Sequence, residues 1–244
     1  MPPYDTCRDV LVVRPDDAWD SWLVTAADSC GAIGEKPGDA LHVPLELAAE
    51  LTARVALLEV LCTGAVPAFA AMNVCNEPEA AERLLAGFRR AAPYLSVVIS
   101  TEKNMPTSMS AFGVSVTGVC RPEALRLGRA ATGDRLFCAG LPLCGGEVLA
   151  HTDALFTPAH LDTLFADSRV HAAIPCGSGG ILKEAQLLAA ESGSSAVIEA
   201  PPGLNLEKSA GPASCAVFAA AVPAGHDFGL DIPVACIGQL QPCV

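Results

Sequence analysis

The 244-residue chain carries 15 basic and 27 acidic residues, a net charge of −12, and 51% hydrophobic residues. Its length accommodates one large domain or two of about 120 residues, and its acidity argues against nucleic acid, which attracts basic surfaces. No apolar run reaches the roughly 20 residues of a membrane-spanning helix, and the opening MPPYDTCRDV shows no secretion signal, so a soluble cytoplasmic protein without a membrane partner is expected.

In chain order, DVLVV (9–13) and SWLVTAAD (21–28) read as strands, followed by the glycine-rich turn SCGAIGEKPGDA and a short LHV. Leu47, Leu51, Val55, Leu58 and Cys62 then recur at helical spacing, so a helix is expected over 45–62, stopped by Gly64. VPAFAAMNV (66–74) is a strand, EPEAAERLLAGFRRAA a helix, and the apolar run 96–100 a second strand that reads as buried. FGVSVTGV (112–119) alternates strictly, the pattern of a half-buried antiparallel strand.

The rhythm breaks at Cys120-Arg121-Pro122, which suggests domains at 1–120 and 121–244. Beyond it come the strand DRLFCAG, a helix near TPAHLDTLFAD, the segment IPCGSGGILKEAQLLAAESG, the segment GLNLEKSAGPASCAVFAAAV and the strand IPVACIG. Helices and strands mix in both halves, so the class is α+β or mixed α/β. The eleven cysteines are scattered, lack a CxxC pair and sit mostly in apolar elements, where Cys acts as a small hydrophobe.

Only four of the basic residues are lysines, Lys36, Lys103, Lys183 and Lys208, all in or beside glycine-rich or polar segments. Coding bias toward Arg explains this, or else these positions need a compact, flexible ammonium. Five segments offer chemistry. In STEKN (100–104), the Glu102 carboxylate is placed to hold Mg²⁺, Lys103 a phosphate and Asn104 a ligand hydroxyl; the bland alternative is a solvated turn with a Glu–Lys pair. Asp28, closing a strand before Gly31 and Gly34, is a metal-ligand candidate or ordinary turn chemistry. Glu59 lies at the edge of the stripe of a helix that is apolar nearly all round, so it needs a partner such as Arg54 or Lys36, or a metal. Gly177, Ser178, Gly179 and Gly180 open a helix and expose N–H groups to an anion, or form a tight turn. Lys208 and Ser209 in LEKSAGP are a weaker cofactor-binding candidate. Three separated acids with two lysine-bearing glycine turns are what a Mg²⁺–nucleotide site requires.

The order ADSCGAIG, ELTARVALLEVLCTGAVPAFAAMN, ISTEKNMPT, FGVSVTGV resembles the aminoimidazole-ribonucleotide synthetase superfamily, which includes thiamine-monophosphate kinase, selenophosphate synthetase and the hydrogenase-maturation ATPase. The closest likeness is to its α-ribazole kinase branch, through DS.GAIG, TARVAL.EVL..GA, STE.N.PT, GSGGIL.EA and KSAGP. The resemblance implies an N-terminal domain whose strands form half of a dimer-spanning barrel, and a C-terminal α+β domain. ATP would lie in a groove, with Mg²⁺ on Asp28, Glu59 and Glu102, and phosphate charge met by Lys36, Lys103 and Lys208. The implied activity is transfer of the γ-phosphoryl group to a hydroxyl of a nucleoside-like substrate by a homodimer. Three departures stand out: Ala56 replaces an Asn, STEKN replaces a Gly-Gly-Asp loop, and the Asp-rich SDGG and GGDD signatures give way to GSGG and KSAGP. They keep two alternatives open, a nucleotide- or metabolite-binding relative without catalysis and another ATP-dependent family activity such as thiamine-monophosphate kinase-like phosphotransfer.

Overall fold

The computed structural model describes residues 8–14, 16 and 18–243. Cys7 and most of the opening segment read above for a secretion signal lie outside them. The chain divides into two compact units, the first comprising residues 9–60 and 65–122, the second comprising 123–243 together with Arg8 and 61–64.

In the first unit β1 (Val10–Val13), β2 (Trp22–Gly31), β5 (Val66–Val74), β6 (Ser96–Thr101) and β7 (Ala111–Cys120) form one sheet in the order β1-β2-β7-β5-β6. The two-residue strands β3 (Ile33–Gly34) and β4 (Leu41–His42) pair within the loop after β2. The expected helix forms as α1 (Leu45–Cys62), and Gly64 follows it at φ +85°, a conformation that ends helices at little cost only for glycine. A second helix, α2 (Ala80–Ala91), packs on α1, where a Cβ at Gly87 would lie 2.9 Å from the Ala49 Cβ.

β7 is central and antiparallel to both neighbours, and Phe112, Val114 and Val116 on its covered face are at most 3% exposed, as the alternation predicts. β6 departs from expectation. It runs parallel to β5 at the sheet's edge, and Val98 is 68% exposed. Its apolar run is that of an interior parallel strand, but among the described residues no strand pairs with its outer side. On the sheet face turned away from the helices, Leu11, Val66, Phe69, Val98 and Val119 remain exposed.

The second unit holds β8 (Arg135–Gly140), α3 (Gly146–Ala150), α4 (Pro158–Ala166), β9 (Val170–Pro175), α5 (Gly180–Glu191), β10 (Ser194–Ile198), β11 (Cys215–Ala220) and β12 (Val234–Pro242). Its sheet has the order β10-β12-β8-β11-β9 with every neighbouring pair antiparallel. Leu136, Cys138, Ile174, Cys215 and Val217 pack with Ile181 and Leu188 of α5 in one apolar core. Phe137 and Phe218 stack at 5.2 Å, and Phe228 meets each edge-on. β10 and α3 are short elements that sequence patterning did not single out. No helix among the described residues is long and apolar enough to cross a membrane.

Candidate functional site

The pairing pattern sends β2, β5 and β6 in one direction, so Gly31, Val74 and Thr101 end together where β7 begins at Ala111. Three loops leave this end of the first sheet: 32–44, 75–79 and 102–110. They carry Gly34, Lys36, Glu102, Lys103 and Asn104, with Gly31 at the rim. Asp28 stands on β2 one register step from Ser29, opposite Val114. It lines a shallow depression of about 300 Å³ with Ala27, Ser29, Asn73, Gly113, Val114 and Ser115. Burial pushes the Asp28 carboxyl up to about 6, against partial relief from the Ser29 N–H. A carboxylate held this far out of water gains from a nearby cation.

The loops are fixed by charged groups. The Lys36 ammonium contacts both Glu77 oxygens at 2.9 and 2.7 Å, the Thr107 carbonyl at 2.9 Å and the Thr107 hydroxyl at 2.7 Å. Thr107 Oγ1 in turn lies within hydrogen-bond distance of the Cys75 and Met109 carbonyls. Asp39, 6% exposed, accepts from the N–H of Lys36 and from both the N–H and the hydroxyl of Ser110. Burial opposes its charge, yet these bonds more than offset the cost and hold its carboxyl below the usual range. Gly34 is buried under this junction, where a Cβ would fall 2.7 Å from the Ser110 Cβ and 3.0 Å from Asp39 Oδ2. Its glycine serves a close approach within the protein. Gly31 has open space around its Cα.

Glu102 caps its own loop. One carboxylate oxygen accepts the N–H of Asn104 at 2.6 Å and of Met105 at 3.3 Å, and the Asn104 bond is the main cause that lowers its carboxyl. Lys103 and Asn104 are exposed beside it, and among the described residues no ion pair engages the Lys103 ammonium. Glu59 stands elsewhere. Its neighbour Val60 packs over Gly118, which lies six strand residues from Phe112, about 20 Å along β7. Among the described residues no three His, Cys, Asp or Glu side chains gather in a way that could hold a metal ion. The structure thus brings Gly31, Gly34, Lys36, Glu102, Lys103 and Asn104 to one sheet end with Asp28 just below, and leaves Glu59 far from them.

The second unit has a related arrangement. β8, β9 and β10 run in one direction; β8 and β9 end at Gly140 and Pro175, where β11 begins, whereas β10 ends at Ile198, level with Leu136. Here backbone bonds join the loops: Ala210 N–H to the Gly177 carbonyl at 3.1 Å and Leu182 N–H to the Leu206 carbonyl at 2.9 Å. Gly180 has φ +77°, and a Cβ there would sit 2.8 Å from the carbonyl oxygens of Leu206 and Lys208, so this site admits only glycine without strain. α5 starts without a side-chain cap, Ser178 is exposed, and Gly177 and Gly179 flank it. The Lys208 ammonium pairs with Glu147 at 2.8 and 2.7 Å, and Ser209 Oγ accepts the Gly211 N–H at 3.5 Å. Sequence reasoning had not named Asp39, Glu77, Thr107, Ser110 or Glu147. Asp39 follows Gly38 as any turn residue would, and the others act through contacts 32 to 71 residues apart.

No family model and no curated protein matches the chain. Solved structures do. Thiamine-monophosphate kinase from Stenotrophomonas maltophilia K279a is 20% identical with a TM-score of 0.63, over 97% of this chain and 90% of that one. AaThiL, solved with AMPPCP and TMP, is 18% identical with a TM-score of 0.64, over 96% and 85%. The hydrogenase maturation protein HypE in complex with ATP is 16% identical with a TM-score of 0.61, over 94% and 79%. The chain therefore has the mixed α+β fold of these proteins, the one expected from its likeness to the aminoimidazole-ribonucleotide synthetase superfamily.

Proposed function

We propose that this chain is an ATP-dependent small-molecule kinase that phosphorylates a hydroxyl of a nucleoside-like substrate, with α-ribazole the first acceptor to test. The observation that carries this reading is the convergence of Lys103, Asn104 and Gly31 on one sheet end beside Asp28, in a fold whose neighbours include AaThiL with AMPPCP and TMP and HypE with ATP. Residues 1–120 are proposed to bind ATP and to form a homodimer through the sheet face that exposes Leu11, Val66, Phe69, Val98 and Val119. Residues 121–244 are proposed to meet the acceptor or the phosphates through Gly177, Ser178, Gly179, Gly180, Lys208 and Ser209.

In this reading Lys103 neutralises phosphate charge, Asn104 donates to or accepts from a ligand hydroxyl, and the open backbone at Gly31 lets a ligand approach. Magnesium was expected on three acids. The residue set does not fit a three-carboxylate centre, because Glu59 is remote and Glu102 is committed to its own loop. It fits one divalent ion held by Asp28 and by the phosphates, the low-carboxylate arrangement that Mg²⁺ commonly adopts, which would supply charge neutralisation. These same two displacements favour the second reading, a nucleotide-binding relative without transfer.

Incubation with Mg²⁺-ATP and a nucleoside panel, followed by mass spectrometry of the small molecules, tests the proposal. Phosphorylated nucleoside formed by wild type and lost in Asp28→Ala is the expected result. Calorimetric ATP binding without transfer to any acceptor would replace it with the second reading.

A further inference from the structure

Lys36 lies in the glycine-rich turn where a phosphate-binding lysine was expected, yet its ammonium is already saturated. It has three N–H donors and four oxygens at 2.7 to 2.9 Å, two from Glu77 and two from Thr107. Its side chain is 16% exposed. Lys36 belongs to the loop after β2, Glu77 to the loop after β5, and Thr107 to the loop that carries Lys103 and Asn104. Its own N–H and carbonyl are tied at the base, to Asp39 Oδ2 at 2.8 Å and to the Asp39 N–H at 3.0 Å. Moving this ammonium to a phosphate would strip three oxygens of their donor, including the carboxylate of Glu77, which the Lys36 bond holds below its usual range.

We propose that Lys36, with Glu77 and Thr107, is a positioning clamp that fixes the 102–110 loop, and that the phosphate-facing ammonium at this end of the sheet is Lys103. The clamp joins three loops through one compact cation. An ammonium suits this junction because its donors point in three directions, whereas a guanidinium donates within one plane. The proposal rests on the reading of the 102–110 loop as ligand-facing. Its structural half, that Lys36 holds that loop, stands independently.

The test combines amide hydrogen exchange without ligand and calorimetric ATP binding, on wild type, Lys36→Met, Lys36→Arg, Glu77→Gln, Lys103→Gln and the double variant Lys36→Met/Lys103→Gln. Lys36→Met is expected to speed exchange at amides of 103–110 at least tenfold while amides of α1 and β7 keep wild-type protection, which also shows that the variant folds. Glu77→Gln should move the same amides in the same direction, and Lys36→Arg should restore only part of the protection. Both Lys36→Met and Glu77→Gln should weaken ATP, and Lys36→Met should cost nothing further once Lys103 is gone. Unchanged exchange in Lys36→Met overturns the clamp. Tighter ATP binding in Glu77→Gln, or additive losses in the double variant, overturns the division of roles and returns Lys36 to the phosphate. If wild type binds no ATP, the nucleotide reading and the role given to Lys103 fail, and the exchange data alone decide whether Lys36 holds the loop.

Discussion

The two units solve one problem by different physics. Each has a five-stranded sheet in which strands running the same way, β2, β5 and β6 in the first and β8 and β9 in the second, end beside the start of an antiparallel one, and each must hold the loops that emerge there. The first unit does so with charges: Lys36 on Glu77, the buried Asp39 on Ser110, Glu102 on its own N–H groups. The second uses main chain against main chain, with the fully buried Ser214 hydroxyl bridging Leu143 and Ala210, beside the partly exposed pair Lys208–Glu147. A charged clamp responds to pH and to single side-chain changes. A backbone clamp tolerates those and fails when a Cβ intrudes.

The largest effect should come from Gly180→Val, which forces a β-branched residue to positive φ against two carbonyl oxygens. A loss of about 3–5 kcal/mol is expected in chemical denaturation followed by far-ultraviolet circular dichroism. A smaller loss would show that the backbone clamp is looser than drawn. Asp39→Ala comes next. It leaves the buried Ser110 N–H and hydroxyl without their acceptor and should cost about 2–3 kcal/mol, with the Lys36 turn losing exchange protection.

Asp28→Asn should act with the opposite sign. The folded carboxyl titrates at about 6 against 3.8 when free, so the folded state holds its proton more tightly. The stability that this proton confers is present below pH 4 and is lost as pH rises through about 6, at most about 3 kcal/mol and less where water screens the charge. The Asn variant should therefore be more stable than wild type at pH 7 and equal to it near pH 4, measured as the difference between their denaturation midpoints across that range. Added Mg²⁺ should lower the apparent Asp28 value in a nuclear magnetic resonance titration. Smallest of all, Lys208→Met removes a partly exposed pair and should change stability by less than about 1 kcal/mol, an effect that 0.5 M salt erases.

Local pattern carried much of this architecture. The spacing of Leu47 to Cys62 placed α1 within its observed bounds, and strict alternation placed β7 in half-buried antiparallel company. β6 was misread because edge position is a property of the sheet's order, and an apolar pentapeptide looks the same at an edge as inside. The site divides in the same way. Glu102 bonds to amides two and three residues on, so the solvated-turn alternative already contained its geometry. Lys36 was seen as a lysine among glycines, but its partners are 41 and 71 residues away, and no local pattern announces them. Glu59 is half-buried on α1, and a place beside the helix stripe gives the face of a helix and not the strand level it overlies.

The exposure of the cysteines gives the clamp a built-in point of attachment. Among the described cysteines only Cys75 and Cys243 are exposed, and Cys75 is the residue whose carbonyl faces the Thr107 hydroxyl at 3.2 Å. Among the described cysteines a small thiol-reactive fluorophore would therefore settle first at Cys243 and at the loop junction. With Cys7 and Cys243 replaced, the emission from Cys75 would report loop movement in the folded chain, in real time and without any substrate in hand.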